Sequence, residues 1–336
     1  MDTKKAYAVI KRARKILSSV KSREISQKTH DEYMRLGERV LNDKCLLREA
    51  ETANTYYKRL SAYNYCVEYS IQYLLAKQDG EQREKNPLWK DTVNRLEKAI
   101  SEFDMRDVVK SERPESFKPK ESKRQHIRGL PRNWVQRYWD NVPKDNKYAR
   151  VIALLIISGV RPAEIEKGVK VNFNTEKNVL AITIWGAKCR KDGSSGQKER
   201  VIAIDCDRLG EKSPEVFLKN LWAKYATGKD EDLYIQAKPK ALYNYVTRLS
   251  AKIWPKRKKH ITPYTFRHFV SATLKKTKFF SEHEVAQIMG HASCRSQFEY
   301  GSVQQGGVGT SILAVRAEKE PRPVQKSANS LHSSKQ

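Results

Sequence analysis

The chain has 336 residues and a formal net charge of +27, with 66 Lys and Arg set against 39 Asp and Glu along its whole length. The length suggests two domains, no run nears the roughly 20 apolar residues a membrane helix needs, and so much positive charge would strain a compact fold unless a polyanion shares the surface. Nucleic acid is the leading expected partner, while five cysteines (Cys45, Cys66, Cys189, Cys206, Cys294) without a CxxC pair argue against a disulfide framework or zinc ribbon and fit a reducing cytoplasm.

The N-terminus is basic but lacks an apolar core and a small-residue cleavage site, so it does not read as a secretory signal. The first hundred or so residues read as helical. Residues 29–41 place Tyr33, Leu36, Val40 and Leu41 on one face, and residues 63–75 carry Tyr63, Val67, Ile71, Tyr73 and Leu74 at helical spacing. Asn86-Pro87 opens another helix, with Leu88, Val93, Leu96 and Ile100 expected inward. The stretch KSERPESFKPKESKRQHIRGLPR then loses apolar periodicity and reads as an exposed basic linker.

A second domain begins near residue 130. A buried helix over residues 148–158 stops at Gly159, and Pro162 opens the next one at its first position. Residues 179–185 and 201–204 are β-prone and flank the basic loop GAKCRKDGSSGQKER, which predicts a long-looped hairpin. Thr262-Pro263 caps a further helix. Ser281 and Glu284 form a capping box for another, ending at Gly290. Beyond Tyr300 the chain turns Gly-rich, then polar. Residues 310–318 are the one stretch there expected to form a short helix, and the final residues read as disordered.

Four segments carry chemistry. SGVRPAEI puts Arg161 at a helix start, where free backbone N–H groups favour an anion, with Glu164 placed to hold it. The hairpin loop offers Lys188, with Lys191 and Lys198 as competitors. TPYTFRHF sets Tyr264 and Arg267 three apart. MGHASCRSQFEYG places His291 past a helix end and Tyr300 nine residues later.

In this order and at these intervals, residues 130–302 resemble the tyrosine recombinase, or phage integrase, family. SGVRPAEI looks like its first arginine box, PYTFRHFVSATL like its second, and IMGHASCRSQFEY like its Gly-His-to-tyrosine segment. The resemblance implies a mainly α fold with a small β-sheet. The chain is expected to divide into a helical core-DNA-binding domain (1–110), a basic linker (111–130), a mixed α/β catalytic domain (131–302) and a partly disordered tail (303–336), with a short helix there hypothesised to dock on a neighbouring protomer. The two domains would close around the duplex.

The implied activity is site-specific cleavage and rejoining of DNA through a 3′-phosphotyrosyl link, as in integration, excision or resolution of a mobile element. Tyr300 would be the nucleophile, Arg161 and Arg267 the phosphate clamps, His291 a hydrogen-bond donor and Lys188 the acid for the leaving 5′ oxygen. Glu164 and His268 would support them. No cofactor or metal is implied. The implied partners are double-stranded DNA with a core site, three further copies in a homotetramer, and helper DNA-bending proteins, with no membrane and with residence on DNA in the cytoplasm or nucleoid. One position departs from the family: Tyr264 stands where His is usual, and a phenol, with an ordinary pKa of about 10, is a poor base at neutral pH. His268, His260, water or a phosphate oxygen is left to take the proton. That departure keeps open a non-catalytic DNA-binding regulator, and the shared chemistry keeps open a type IB topoisomerase.

Overall fold

A computed structural model describes residues 2–20, 25–80, 87–119, 123–187, 189, 195–207, 209–225 and 232–324. They fall into two compact units, Met1–Lys120 and Glu121–Gln336.

The first unit is helical: α1 (Thr3–Ser19), α2 (Gln27–Asn42), α3 (Cys45–Arg48), α4 (Ala53–Gly80), α5 (Pro87–Asp104) and α6 (Arg106–Ser111). Ser26 caps α2 by accepting from the Thr29 N–H at 3.3 Å. Ala6, Val9, Ile10, Ala13 and Ile16 form the buried stripe of α1. Tyr63, Val67 and Ile71 do the same for α4, whereas Tyr73 faces out. In α5 the inward face is Trp89, Val93, Leu96 and Ile100, and Leu88 is 66% exposed. Three of the four expected inward residues, Val93, Leu96 and Ile100, are buried, and only Leu88 is displaced, by Trp89. Trp89 fits the four-then-three spacing of the stripe, and Leu88 falls on its shoulder.

The second unit is mixed. It runs through α7 (Trp134–Asp140), α8 (Ala149–Ser158), α9 (Pro162–Lys167), β1 (Val169–Asn174), β2 (Val179–Trp185), β3 (Glu199–Asp205), α10 (Pro214–Tyr225), β4 (Leu233–Ile235), α11 (Pro239–Ile253), α12 (Pro263–Thr277), α13 (Glu282–Ile288) and β5 (Ile312–Ala317). The sheet order is β4-β1-β2-β3-β5, antiparallel throughout. The described residues are thus mainly α with one small sheet. The expected hairpin is present, with Val179 opposite Asp205 and Trp185 opposite Glu199. The apolar α8 is buried almost all round and packs against α10 and α12.

Two expectations are corrected. The possible helix at residues 310–318 is a strand: β5 pairs with β3 within the same chain, and Ile312 is buried. The β3 edge supplies backbone partners that a helix there would leave unmet. The 111–130 stretch is also not uniformly exposed. Phe117 packs on the first unit's core and the Lys118 N–H donates to Glu51 at 2.8 Å, while Ile127 is buried in the second unit. Among the described residues no helix is long and apolar enough to cross a membrane.

Gly37 sets the approach of α2 to α4: a methyl group there would lie 2.4 Å from Cys66 Cβ and 2.5 Å from the Ala62 carbonyl oxygen. Gly37→Ala should therefore destabilise the helical unit by about 1–3 kcal/mol. Hydrogen–deuterium exchange of the intact chain should show faster exchange in α2 and α4, with α8 and β1–β3 unchanged. Equal rates in all of these would contradict the close approach.

Candidate active site

The site begins where α8 ends. Gly159 adopts φ +60°, the left-handed conformation that closes a helix, and its N–H returns to Leu155. The chain then turns through Arg161, the extended N-cap of α9, with Pro162 at the first helical position. Glu164 folds back: it accepts from the Arg161 backbone N–H at 2.8 Å and from Arg161 Nη1 at 2.6 Å. The same carboxylate accepts from Arg200 Nη1 at 3.2 Å and Nη2 at 2.9 Å. Burial alone would raise the Glu164 pKa. The charges of Arg200 and Arg161 outweigh it and hold the carboxyl well below its ordinary range.

Arg267, on α12, is fully buried. Its Nη1 donates to the Gly159 carbonyl at 2.8 Å, and its Nη2 donates to the Met289 carbonyl and, at 3.1 Å, to His291 Nε2. Its Nε is buried without a partner among the described residues. Burial, then the charge of Arg161, lowers its pKa to about 10, so it stays charged at neutral pH. A guanidinium has no acceptor, so His291 Nε2 must accept and the ring proton belongs on Nδ1. That nitrogen is also buried and unpartnered among the described residues. Burial, then Arg267, Arg161 and Arg200, pushes the His291 pKa down to about 2, which makes the ring a neutral donor. Its backbone is fixed at both ends, N–H to Ala286 at 2.8 Å and C=O from Gln197 Nε2 at 3.1 Å.

Tyr300 closes the group. Its ring lies 5.1 Å from His291 at 26°, 5.2 Å from His268, and 4.9 Å from Arg267 Cζ. Burial opposes ionisation of the phenol. The charges of Arg267 and Arg161 outweigh it, and the balance lowers its pKa. The segment is anchored from α12, where Lys275 Nζ donates to the carbonyls of Gln297 and Tyr300 at 3.4 Å each and to that of Gly301. Gly301 lets the segment lie close to α12, since a side chain there would meet the His268 carbonyl at 2.5 Å.

Arg161, Glu164, Arg267, His268, His291 and Tyr300 are thus brought together from distant stretches. Tyr264 sits half-buried on the first turn of α12 and makes no hydrogen bond or ring contact among the described residues. Lys188 and Lys191 lie outside the described residues, and Lys198 is exposed beside Glu318 at 3.5 Å. His260 precedes α12, and its carbonyl accepts from His126. No group of three or more His, Cys, Asp or Glu among the described residues is placed to hold a metal.

Sequence reasoning missed Arg200, Gln197 and Lys275. Arg200 had a signal: it shares a face of β3 with Ile202 and Ile204, all buried. A lone Arg on an apolar strand face calls for a carboxylate partner. Gln197, buried between the carbonyls of His291 and Lys319, had none.

The His291 environment fixes a pH dependence. The ring binds a proton less readily folded (about 2) than at its ordinary value of 6.5. Its contribution to stability is therefore complete above about pH 6.5 and is drained as pH falls toward the folded value. Below pH 6 the wild-type chain should lose roughly 1.4 kcal/mol per pH unit through this residue. His291→Asn should flatten that slope in urea titrations run from pH 7 to 5. An unchanged slope would mean the ring is solvated.

No family model and no curated protein sequence matches the chain. Among solved structures it is similar to XerA recombinase, at 15% identity over 80% of this chain and 92% of that one, with a TM-score of 0.38. It is similar to XerH site-specific recombinase bound to its difH substrate, at 16% identity over 88% and 90%, TM-score 0.38. The Tn1549 transposon integrase in complex with circular intermediate DNA gives 15% identity over 88% and 95%, TM-score 0.42. The reading of the site rests on its own side chains.

Proposed function

We propose that the chain is a site-specific DNA recombinase that cuts and rejoins strands through a covalent bond between Tyr300 and a DNA phosphate. The observation that carries this is the gathering of the Tyr300 ring with His291 at 5.1 Å and the Arg267 guanidinium carbon at 4.9 Å, beside Arg161, whose charge together with that of Arg267 lowers the phenol's pKa. A phenol in that setting ionises more easily than usual, and the groups beside it suit a phosphate oxyanion.

In the reaction, the Tyr300 oxygen attacks phosphorus and the bond to the 5′ oxygen breaks. The products are a 3′-phosphotyrosyl link and a 5′ hydroxyl. A 5′ hydroxyl from a partner strand attacks the same phosphorus and releases Tyr300. Arg161 and Arg267 neutralise the charge that builds on the non-bridging oxygens, and His291 donates from its ring N–H. Lys188 is assigned the proton for the leaving oxygen and Tyr264 a hydrogen bond to phosphate, both on the family resemblance. In the free protein the Tyr300 ring covers Arg267, so the phenol must move aside for that guanidinium to reach a phosphate. The helical unit would hold the duplex, and four copies would exchange strands between two sites.

The test is covalent capture. Supercoiled plasmids carrying a randomised insert should yield an adduct that survives detergent in wild type and is absent in Tyr300→Phe, which should still shift DNA on a gel. Arg161→Ala and Arg267→Ala should each slow adduct formation by about 100- to 1000-fold. No adduct on any DNA would point to a DNA-binding regulator instead, and relaxation of every plasmid without strand exchange would point to a topoisomerase. DNA affinity should fall with salt at a log–log slope of roughly 0.9 per neutralised phosphate, and a flat salt response would exclude phosphate-led binding.

A further inference from the structure

Arg200 has no part in the chemistry above, yet it is only 1% exposed. It lies on β3, directly after the loop that bears Lys188. Its Nε donates to the Ile288 carbonyl at 2.8 Å, and its Nη1 and Nη2 bind the two Glu164 oxygens. The bonded nitrogens are committed to protein acceptors, so Arg200 is not placed as the anion ligand.

Each Glu164 oxygen serves two donors. Oε1 takes Arg161 Nη1 and Arg200 Nη1, and Oε2 takes the Arg161 backbone N–H and Arg200 Nη2. A side chain at Gly290 would meet Arg200 Nη1 at 2.6 Å and Arg161 Nη1 at 3.2 Å. The two guanidiniums therefore lie side by side beneath the turn that presents His291. Charge decides what this arrangement does. With Arg161 as its chief counter-ion, a buried carboxylate would draw that guanidinium in and cancel it. With Arg200 also bound, the carboxylate is balanced and the charge of Arg161 is left over.

We propose that Arg200 is a positioning residue: by satisfying Glu164 it leaves the positive charge of Arg161 free to act on the Tyr300 oxygen and on an anion bound there. This rests on Arg161 and Tyr300 forming one reactive site, but its test needs no DNA. The charged and titratable groups facing the phenol are Arg161 just before α9, Arg267 and His268 from α12, and His291 after α13.

The readout is the ionisation midpoint of Tyr300 in the full chain, followed by NMR with tyrosine labelled at the phenolic carbon. The chain has 16 tyrosines, so the signal is assigned by its loss in Tyr300→Phe. Arg200→Met should raise the midpoint by about one pH unit, the size of effect a nearby opposite charge exerts. Arg200→Met with Glu164→Gln removes one charge of each sign and should bring the midpoint back toward wild type. A merely structural role would not be reversed by a second substitution. If Arg200→Met alone fails to fold, Arg200→Lys takes its place. It keeps the charge but not the paired bonds, and it should raise the midpoint by less. An unmoved midpoint in a folded single variant, or a double variant as displaced as the single, overturns the proposal. A Tyr300→Phe chain that still forms the covalent adduct would overturn the proposed reaction instead, whatever the midpoint does.

Discussion

The second unit is organised around one buried carboxylate. Glu164 is fully buried and neutralised by Arg161 and Arg200, with Arg267 close enough to add to the field. Withdrawing such charges from water costs several kcal/mol per ion, and only close, multiply bonded pairing offsets it. Removing one partner of a buried pair of this kind costs about 3–5 kcal/mol. The segments that meet at Glu164 are therefore held in register by electrostatics as well as by the apolar core. The cluster also ends with more guanidiniums than carboxylates, which leaves it with excess positive charge.

Close packing of polar groups needs small residues at the crossings. Gly159 ends α8 in the left-handed region and offers its carbonyl to Arg267. Gly290, at φ +64°, lets the turn before His291 pass over two guanidiniums. Around them the backbone carbonyls of Ile288, Met289 and Gly159 accept from arginines, so buried donors are met by main chain. The donors left over, Arg267 Nε and His291 Nδ1, belong to the side chains that face Tyr300.

The tyrosine segment is braced from two directions. Lys275 on α12 ties its carbonyls from one side. After β5 the chain returns to pair beside it: the Cys294 N–H donates to Arg322 and the Arg322 N–H to Ala292. Gln197 bonds both the His291 and Lys319 carbonyls, so the C-terminal strand, the hairpin and the site share hydrogen bonds. A shift of β5 would be felt at His291 through that amide.

The local signals were legible in the sequence because their physics is local. Gly159 as a helix end, Pro162 as a helix start and the Ser281–Glu284 box each depend on a few neighbouring residues, and each reads the same in the folded chain. The arginines, His291 and Tyr300 were legible as ordered motifs, though nothing in their spacing fixed a common point in space. Tertiary structure alone decided that convergence, the burial of Arg200 against a carboxylate 36 residues away, and the anchoring of Tyr300 by Lys275. It likewise chose Trp89 over Leu88 for the core and turned residues 312–317 into a strand. Each of these depends on partners distant in sequence, such as the open edge of β3 or a facing helix, and a chain read one segment at a time carries no record of them.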